Sequence, residues 1–236
     1  TAVGYQALEE NVDGQNNTAL GYQALDSNTS GSNNTGIGST ALQAVSSGTN
    51  NTAVGQIAGY GITTGANNTI IGSRSGVTLA GGSRNVGVGN ENFLSGTGSD
   101  NVAIGSTSQR NNSTGNQNVT VGTEAGNNIT SGSYNVAIGY QSGKSLNAAL
   151  HNTAVGYKAM GSSTSGNQNT ALGYQALKSN TGSSNVAVGY NASVLNVDGV
   201  DNVALGGIAL QNNVSGAGNV AVGKKALFDA IGNYNI

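Results

Sequence analysis

An asparagine returns along this chain at almost constant intervals. It stands at 17, 34, 51, 68, 85, 101, 118, 135, 152, 169, 185, 202, 219 and 235, a spacing of 17 residues that shortens to 16 after Asn85, Asn169 and Asn219. Each Asn opens a pattern of the form Asn-[Thr/Val]-Ala-[Val/Ile/Leu]-Gly, as in Asn17-Thr18-Ala19-Leu20-Gly21 and Asn101-Val102-Ala103-Ile104-Gly105. A fixed period means units that bury their apolar surface only against their neighbours, so the fold is a stack. The chain starts at Thr1-Ala2-Val3-Gly4 and stops at Asn235-Ile236, both inside a repeat, so residues 1–236 are expected to be one continuous repeat domain cut from a longer chain.

We number columns from the Asn and call the Thr1 unit coil 1 and the Asn17 unit coil 2. Column 5 is Gly from Gly4 to Gly223, and column 4 is always Val, Ile or Leu. A second Gly recurs near column 15, as at Gly14, Gly31 and Gly48, and the shorter units lose their residue close to it, as expected of a turn. Seventeen residues cannot hold a pair of helices, and Gly is a poor helix former. Columns 2 to 5 alternate as a short strand. The strongest short hairpin signal, Asn-Gly, is absent, so each strand is expected to pair in parallel with the same columns of the next coil. The predicted fold is all-β: a β-solenoid or β-roll with a single stack of strands and about fourteen coils of 16–17 residues. At about 4.8 Å per strand it would form a rod of about 65 Å. Burial of Val, Ile and Leu predicts that columns 2 and 4 face inward, leaving a flat Ala/Gly face outside for another subunit.

Two further patterns bear on packing. Column 9 is Leu in coils with Asn at column 12 (Leu8/Asn11, Leu25/Asn28, Leu177/Asn180, Leu210/Asn213), and where column 9 is Gly, column 12 is apolar (Gly59/Ile62, Gly76/Leu79, Gly126/Ile129, Gly143/Leu146). One side chain is thus expected to fill one volume from either position. Coil 7, with Gln109 and Asn112, follows neither rule and is an expected weak point, and Ser193 in coil 12 also departs. The Asn column is expected to form an amide ladder or to hold a left-handed turn, and Thr at column 2 to bond along the stack.

Asn-Val-Ala-Ile-Gly at 101–105 and 135–139 resembles the repeat of trimeric autotransporter adhesin heads. The form Asn-Thr-Ala-Leu-Gly-Tyr-Gln-Ala-Leu at 169–177 is similar to repeats of phage tail-fibre-like and bacterial surface proteins. The resemblance covers the whole chain, although the adhesin heads use shorter coils. It implies a left-handed parallel β-roll, three chains packed side by side, and a place on a bacterial cell surface or virion fibre.

Little in the chain suggests catalysis. It has 236 residues, no Cys, Pro or Trp, 8% charged residues, one His and a net charge of −2. Without Cys there are no disulfides, thiol nucleophiles or Cys-type zinc sites. The charge is wrong for nucleic acid, and no apolar run is long enough to insert in a membrane. His151 falls at the join between coils, with no acid or nucleophile placed beside it. Glu9/Glu10 and Asp198/Asp201 lie on variable turns, whereas a glycosidase needs two carboxyls across a cleft. The Val-Asp-Gly turns at 12–14 and 197–199 occur in two coils only, too few for a stacked calcium site. No catalytic, cofactor or metal residue is therefore assigned. Column 6 is more informative: Tyr5 and Tyr22, then Tyr140, Tyr157, Tyr174 and Tyr190 in four successive coils, predict an aromatic stripe for a ligand or partner. The eight basic residues form no stripe in the sequence and read as solvated surface.

The expectation is a non-enzymatic extracellular rod, the head or shaft of an adhesin or tail fibre that projects and attaches. Its partners would be copies of itself, most simply as a trimer, and a host-surface glycan or protein. An alternative is a filament subunit joined through open solenoid ends. A third, ice binding, would need an outward Thr-x-Thr array, which an inward column 2 denies.

Overall fold

The computed structural model describes residues 1–93 and 96–236. The described residues contain strands and turns and no helix. The chain divides into two compact units, 1–117 and 118–236. In the first, Ala2–Val3, Thr18–Leu20, Thr35–Ile37, Thr52–Val54, Thr69–Ile71, Val86–Val88 and Val102–Ile104 pair in parallel in chain order. In the second, Val119–Val121, Val136–Ile138, Thr153–Val155, Thr170–Leu172, Val186–Val188, Val203–Leu205 and Val220–Val222 do the same. Register follows the columns, as in Thr153↔Thr170, Ala154↔Ala171 and Val155↔Leu172. The fold is the expected β-solenoid, with one strand per 16–17-residue coil.

The Asn column is an amide ladder. The backbone N–H and the Nδ2 of Asn51 both donate to Oδ1 of Asn34, at 2.9 and 3.1 Å. Its Nδ2 also donates to the carbonyl of Gly65, the column-15 Gly of its own coil, at 2.8 Å. Its own Oδ1 accepts the N–H and Nδ2 of Asn68, both at 3.0 Å. All four hydrogen-bonding positions of a buried amide are used. The same set runs through Asn68, Asn85 and Asn101, and in the second unit links Asn135, Asn152 and Asn169, then Asn202, Asn219 and Asn235. In the 16-residue coils the amide reaches a Gly one residue nearer, Gly98 from Asn85 and Gly182 from Asn169, so the missing residue lies in the arm between Asn and Gly.

Left-handed backbone falls at columns 7, 9 and 17 instead of column 1. Ile57, Leu42 and Asn50 have φ of 61°, 52° and 58°. Such a φ is costly for a β-branched residue. It is held by bonds to neighbouring coils, such as Ile57 N–H to the carbonyl of Ser39 at 2.9 Å. The column-5 Gly is required twice over. At Gly156 φ is +132°, and a Cβ would lie 2.5 Å from the carbonyl oxygen of Gly173 in the next coil.

The strand faces are the reverse of the sequence expectation. Column 3 points inward and columns 2 and 4 outward: Ala171 is 0% exposed, while Leu172 beside it is 47% exposed. The reason is the narrow bore of the coil. The strand must share its interior with the side chains of columns 8, 9 and 12 from the opposite wall, and only a methyl fits beside them. Where column 3 is enlarged to Ile70, column 9 is Gly76, and a Cβ there would meet Ile70 at 3.2 Å. Where column 9 is Phe93, column 3 is Gly87, and a Cβ there would meet the Phe93 ring at 3.1 Å. The compensation read from columns 9 and 12 therefore extends to column 3. At Gly59 a Cβ would lie 2.8 Å from Leu42 and 3.2 Å from Ile62.

Column-12 asparagines also serve the turn, as where Nδ2 of Asn28 donates to the carbonyl of Gly31 at 3.0 Å. In coil 7 the interior is taken by Gln109, 0% exposed, whose Nε2 donates to Asn101 while its Oε1 has no partner. A buried orphan of that kind costs about 1–3 kcal/mol. Threonine hydroxyls that bond along the stack recur in column 13: Thr29 donates to the carbonyl of Ser46 at 3.0 Å and Thr130 to that of Asn147 at 3.0 Å.

Asn51→Ala leaves the Asn68 amide and the Gly65 carbonyl without their buried partner. It is expected to lower stability by about 3 kcal/mol, against about 0.5 kcal/mol or less for the exposed Ser47→Ala, as read by urea unfolding followed by circular dichroism. Gly59→Leu alone overfills coil 4 and is expected to cost about 2 kcal/mol. Adding Ile62→Asn moves the side chain to the alternative position, and the double variant should be more stable than the single one in the same assay.

Candidate functional site

Column 6 follows the column-5 Gly at the corner of the coil, so its side chain projects from the edge of the strand stack. Repetition at one strand spacing then stacks like on like. Ring centroids lie 5.4 Å apart for Tyr140–Tyr157, 5.0 Å for Tyr157–Tyr174 and 5.2 Å for Tyr174–Tyr190, with planes within 18° of parallel. Tyr5 and Tyr22 form a shorter stack at 5.5 Å. The predicted stripe is present as a stack. The rings cover one another, so the ridge presents edges and hydroxyls. The exception is its end. Column 6 of the next coil is Gly207, which has no side chain to cover Tyr190, and Tyr190 is the most exposed of the four at 59%.

A second ring stack was not visible as a pattern of one residue type. Tyr134 and His151, both in column 17, lie 4.8 Å apart and 8° from parallel. The shared column was the available signal. The structure thus gives the lone His a stacking partner on an exposed turn. Glu9, Glu10, Asp13, Asp198 and Asp201 are exposed on turns.

Beside the ridge, columns 7 and 10 border a groove whose lining changes along the chain. In coils 3–5 it is lined by Thr40, Gln43, Ile57, Tyr60, Arg74 and Val77. In coils 9–11 it is a hollow lined by Gln141, Lys144, Ser145, Lys158, Gly161, Ser162 and Lys178. In the sequence the three lysines form no stripe because they alternate between columns 10, 7 and 10. Successive coils bring them together. Lys144 Nζ lies 2.5 Å from Oε2 of Glu124, which also accepts from Nε2 of Gln141 at 2.9 Å. These two donors, Lys144 first, hold the Glu124 carboxyl below its ordinary value, so it stays charged into mild acid. Its contribution to stability is present above the ordinary carboxylate range and is lost as pH falls through the depressed value. Lys158 Nζ stands 5.2 Å from the centroid of Tyr157, a cation–π distance. Among the described residues no carboxylate lies within ion-pair distance of Lys158 or Lys178. By contrast Arg74 and Arg110 reach Glu91, at 3.5 and 3.4 Å, and Arg84 reaches Asp100 at 2.5 Å.

The other outward feature is the strand face itself. Leu20, Ile71, Ile138 and Leu172 are 39–48% exposed, forming in each unit a ribbon of Val, Ile and Leu flanked by the Thr and Val of column 2. Column 2 faces outward, but its neighbour is apolar, so the array is Thr-x-aliphatic and lacks the paired hydroxyls of the ice-binding expectation.

The chain is, by fold, a parallel β-solenoid repeat protein. Comparison with known proteins gave no match to a family model, to a curated protein sequence or to a solved structure.

The chain has no Trp, so its near-ultraviolet signal comes mainly from nine tyrosines. Tyr157→Ala removes two stacked pairs, worth about 0.5–1.5 kcal/mol each beyond burial. It is expected to reduce near-ultraviolet circular dichroism more than Tyr60→Ala, while leaving the far-ultraviolet spectrum unchanged.

Proposed function

We propose that this chain is the structural and adhesive segment of an extracellular surface protein, a non-enzymatic head or shaft of a bacterial adhesin or virion fibre. The observation that carries the reading is the division of each coil. Asn, Ala and Gly recur inside and hold the coil to its neighbours, interior variation only exchanges one space-filling side chain for another, and the changes in surface chemistry between coils lie on the groove of columns 7 and 10. A repeat built this way supplies a scaffold with an editable surface. The aliphatic ribbon of columns 2 and 4 supports self-association, because contiguous exposed apolar surface marks a contact site. Copies of this chain, three in the arrangement implied by the resemblance, would cover it. This replaces the Ala/Gly face as the subunit contact.

Light scattering across a concentration series is expected to give a fixed mass of three chains, and Ile138→Lys with Leu172→Lys a smaller species with unchanged far-ultraviolet circular dichroism. Immobilised wild-type protein is expected to retain bacterial-host or tissue cells under flow. A monomer at all concentrations overturns the shared ribbon, open-ended polymers favour the filament subunit, and failure to retain any cell type overturns the adhesive reading.

A further inference from the structure

The hollow of coils 9–11 has a chemistry that the rest of the groove lacks. Lys144 and Lys178 stand in column 10 of coils 9 and 11, and between them column 10 of coil 10 is Gly161. The missing side chain leaves a depression walled by two lysines. Lys158 borders it from column 7, and Ser145, Ser162 and Gln141 complete a polar lining. Of the charges facing it, one carboxylate, Glu124, pairs with Lys144 and is felt more weakly by Lys158, so three lysines face a single acid and neither Lys158 nor Lys178 has a carboxylate within ion-pair distance. The local charge is therefore positive on a chain whose net charge is −2. Coils 9–11 also carry Tyr140, Tyr157 and Tyr174, and the ridge continues to the open ring of Tyr190.

We propose that this hollow binds the carboxylate or sulfate of an acidic saccharide, held by Lys158 and Lys178, with the adjoining sugars laid along the tyrosine ridge. The inference rests on the adhesive reading and names its ligand class. The hydroxyl and amide groups of Ser145, Ser162 and Gln141 match the hydroxyls of a sugar, and the tyrosine hydroxyls extend that match. The uncovered face of Tyr190 offers one platform for the apolar side of a sugar ring. Single-stranded nucleic acid is the poorer occupant. It needs a series of open aromatic faces and a longer run of cations, whereas these rings cover each other and only two lysines of the hollow lack a carboxylate within ion-pair distance.

The test is isothermal titration of the intact chain with hyaluronan and chondroitin sulfate hexasaccharides, maltohexaose, a twelve-residue oligothymidylate and sodium sulfate. Binding of either acidic hexasaccharide, with at least tenfold weaker binding to maltohexaose and oligothymidylate, supports the proposal. The hyaluronan and chondroitin arms separate carboxylate from sulfate recognition. Lys158→Gln with Lys178→Gln is expected to weaken binding at least tenfold, and Glu124→Gln, which frees Lys144, to strengthen it several-fold. Tyr190→Ala should weaken it by a smaller factor, and Lys225→Gln should leave it unchanged. These lysines are solvent-facing, and circular dichroism checks that each variant is folded. Equal binding of oligothymidylate or of sodium sulfate alone overturns the saccharide assignment. Undiminished binding by the double lysine variant overturns the site. Cell retention under flow that persists without acidic-saccharide binding overturns this inference and leaves the adhesive reading standing.

Discussion

Everything else in each unit depends on a carboxamide that bonds to copies of itself. A buried Asn is ordinarily a liability, since any unpaired position costs the full desolvation of that atom. Here the liability enforces order. Oδ1 of Asn51 has its two donors only if Asn68 stands one strand spacing away in the same rotamer, and Nδ2 finds Gly65 only if the arm between them has the right length. The ladder thereby sets both the register between coils and the path within each coil. The aliphatic contacts inside are less demanding about position.

The second constraint is volume. The interior of each coil is limited, and large side chains enter it from the strand, from column 9 or from column 12, never from all three: coil 5 holds Ile70 and Leu79 around Gly76, and coil 3 holds Leu42 and Val45 beside Gly36. Ile70, Phe93 and Ile62 are three solutions, each matched by a Gly where the filled volume would otherwise collide. Gln109 is a fourth, which fills the space but leaves an oxygen without a partner. The aliphatic residues of column 4 are excluded from this competition, which is why they lie on the surface.

The period, the parallel pairing, the two Gly columns, the Asn ladder and the tyrosine stack were legible in the sequence, because stacking in register turns sequence columns into spatial columns. The inward face was not. Alternation tells which residues share a face but not which face is buried. The rule that larger aliphatic groups go inside fails when the bore is only wide enough for Ala171 opposite Leu177. The left-handed residues were also hidden, because columns 7 and 9 hold Ile57, Leu42 and other types that do not favour that backbone. The lysine hollow escaped because it is a neighbourhood of two columns, and column-by-column reading separates Lys158 from Lys144 and Lys178.

The shortened coils show what kind of change in length such a chain tolerates. Asn85 and Asn169 each close on a Gly one residue early, and their neighbours keep the ladder. Between the Asn and the column-9 residue, by contrast, backbone bonds to neighbouring coils recur at most positions, as from Gly55 to Ile37 and from Ile57 to Ser39. Duplication or loss of an entire coil leaves every interface of the same kind, because each coil presents nearly the same two sides. A lineage of such chains can therefore alter its number of coils in whole steps and its outer surface by single exposed substitutions, and the two can change independently.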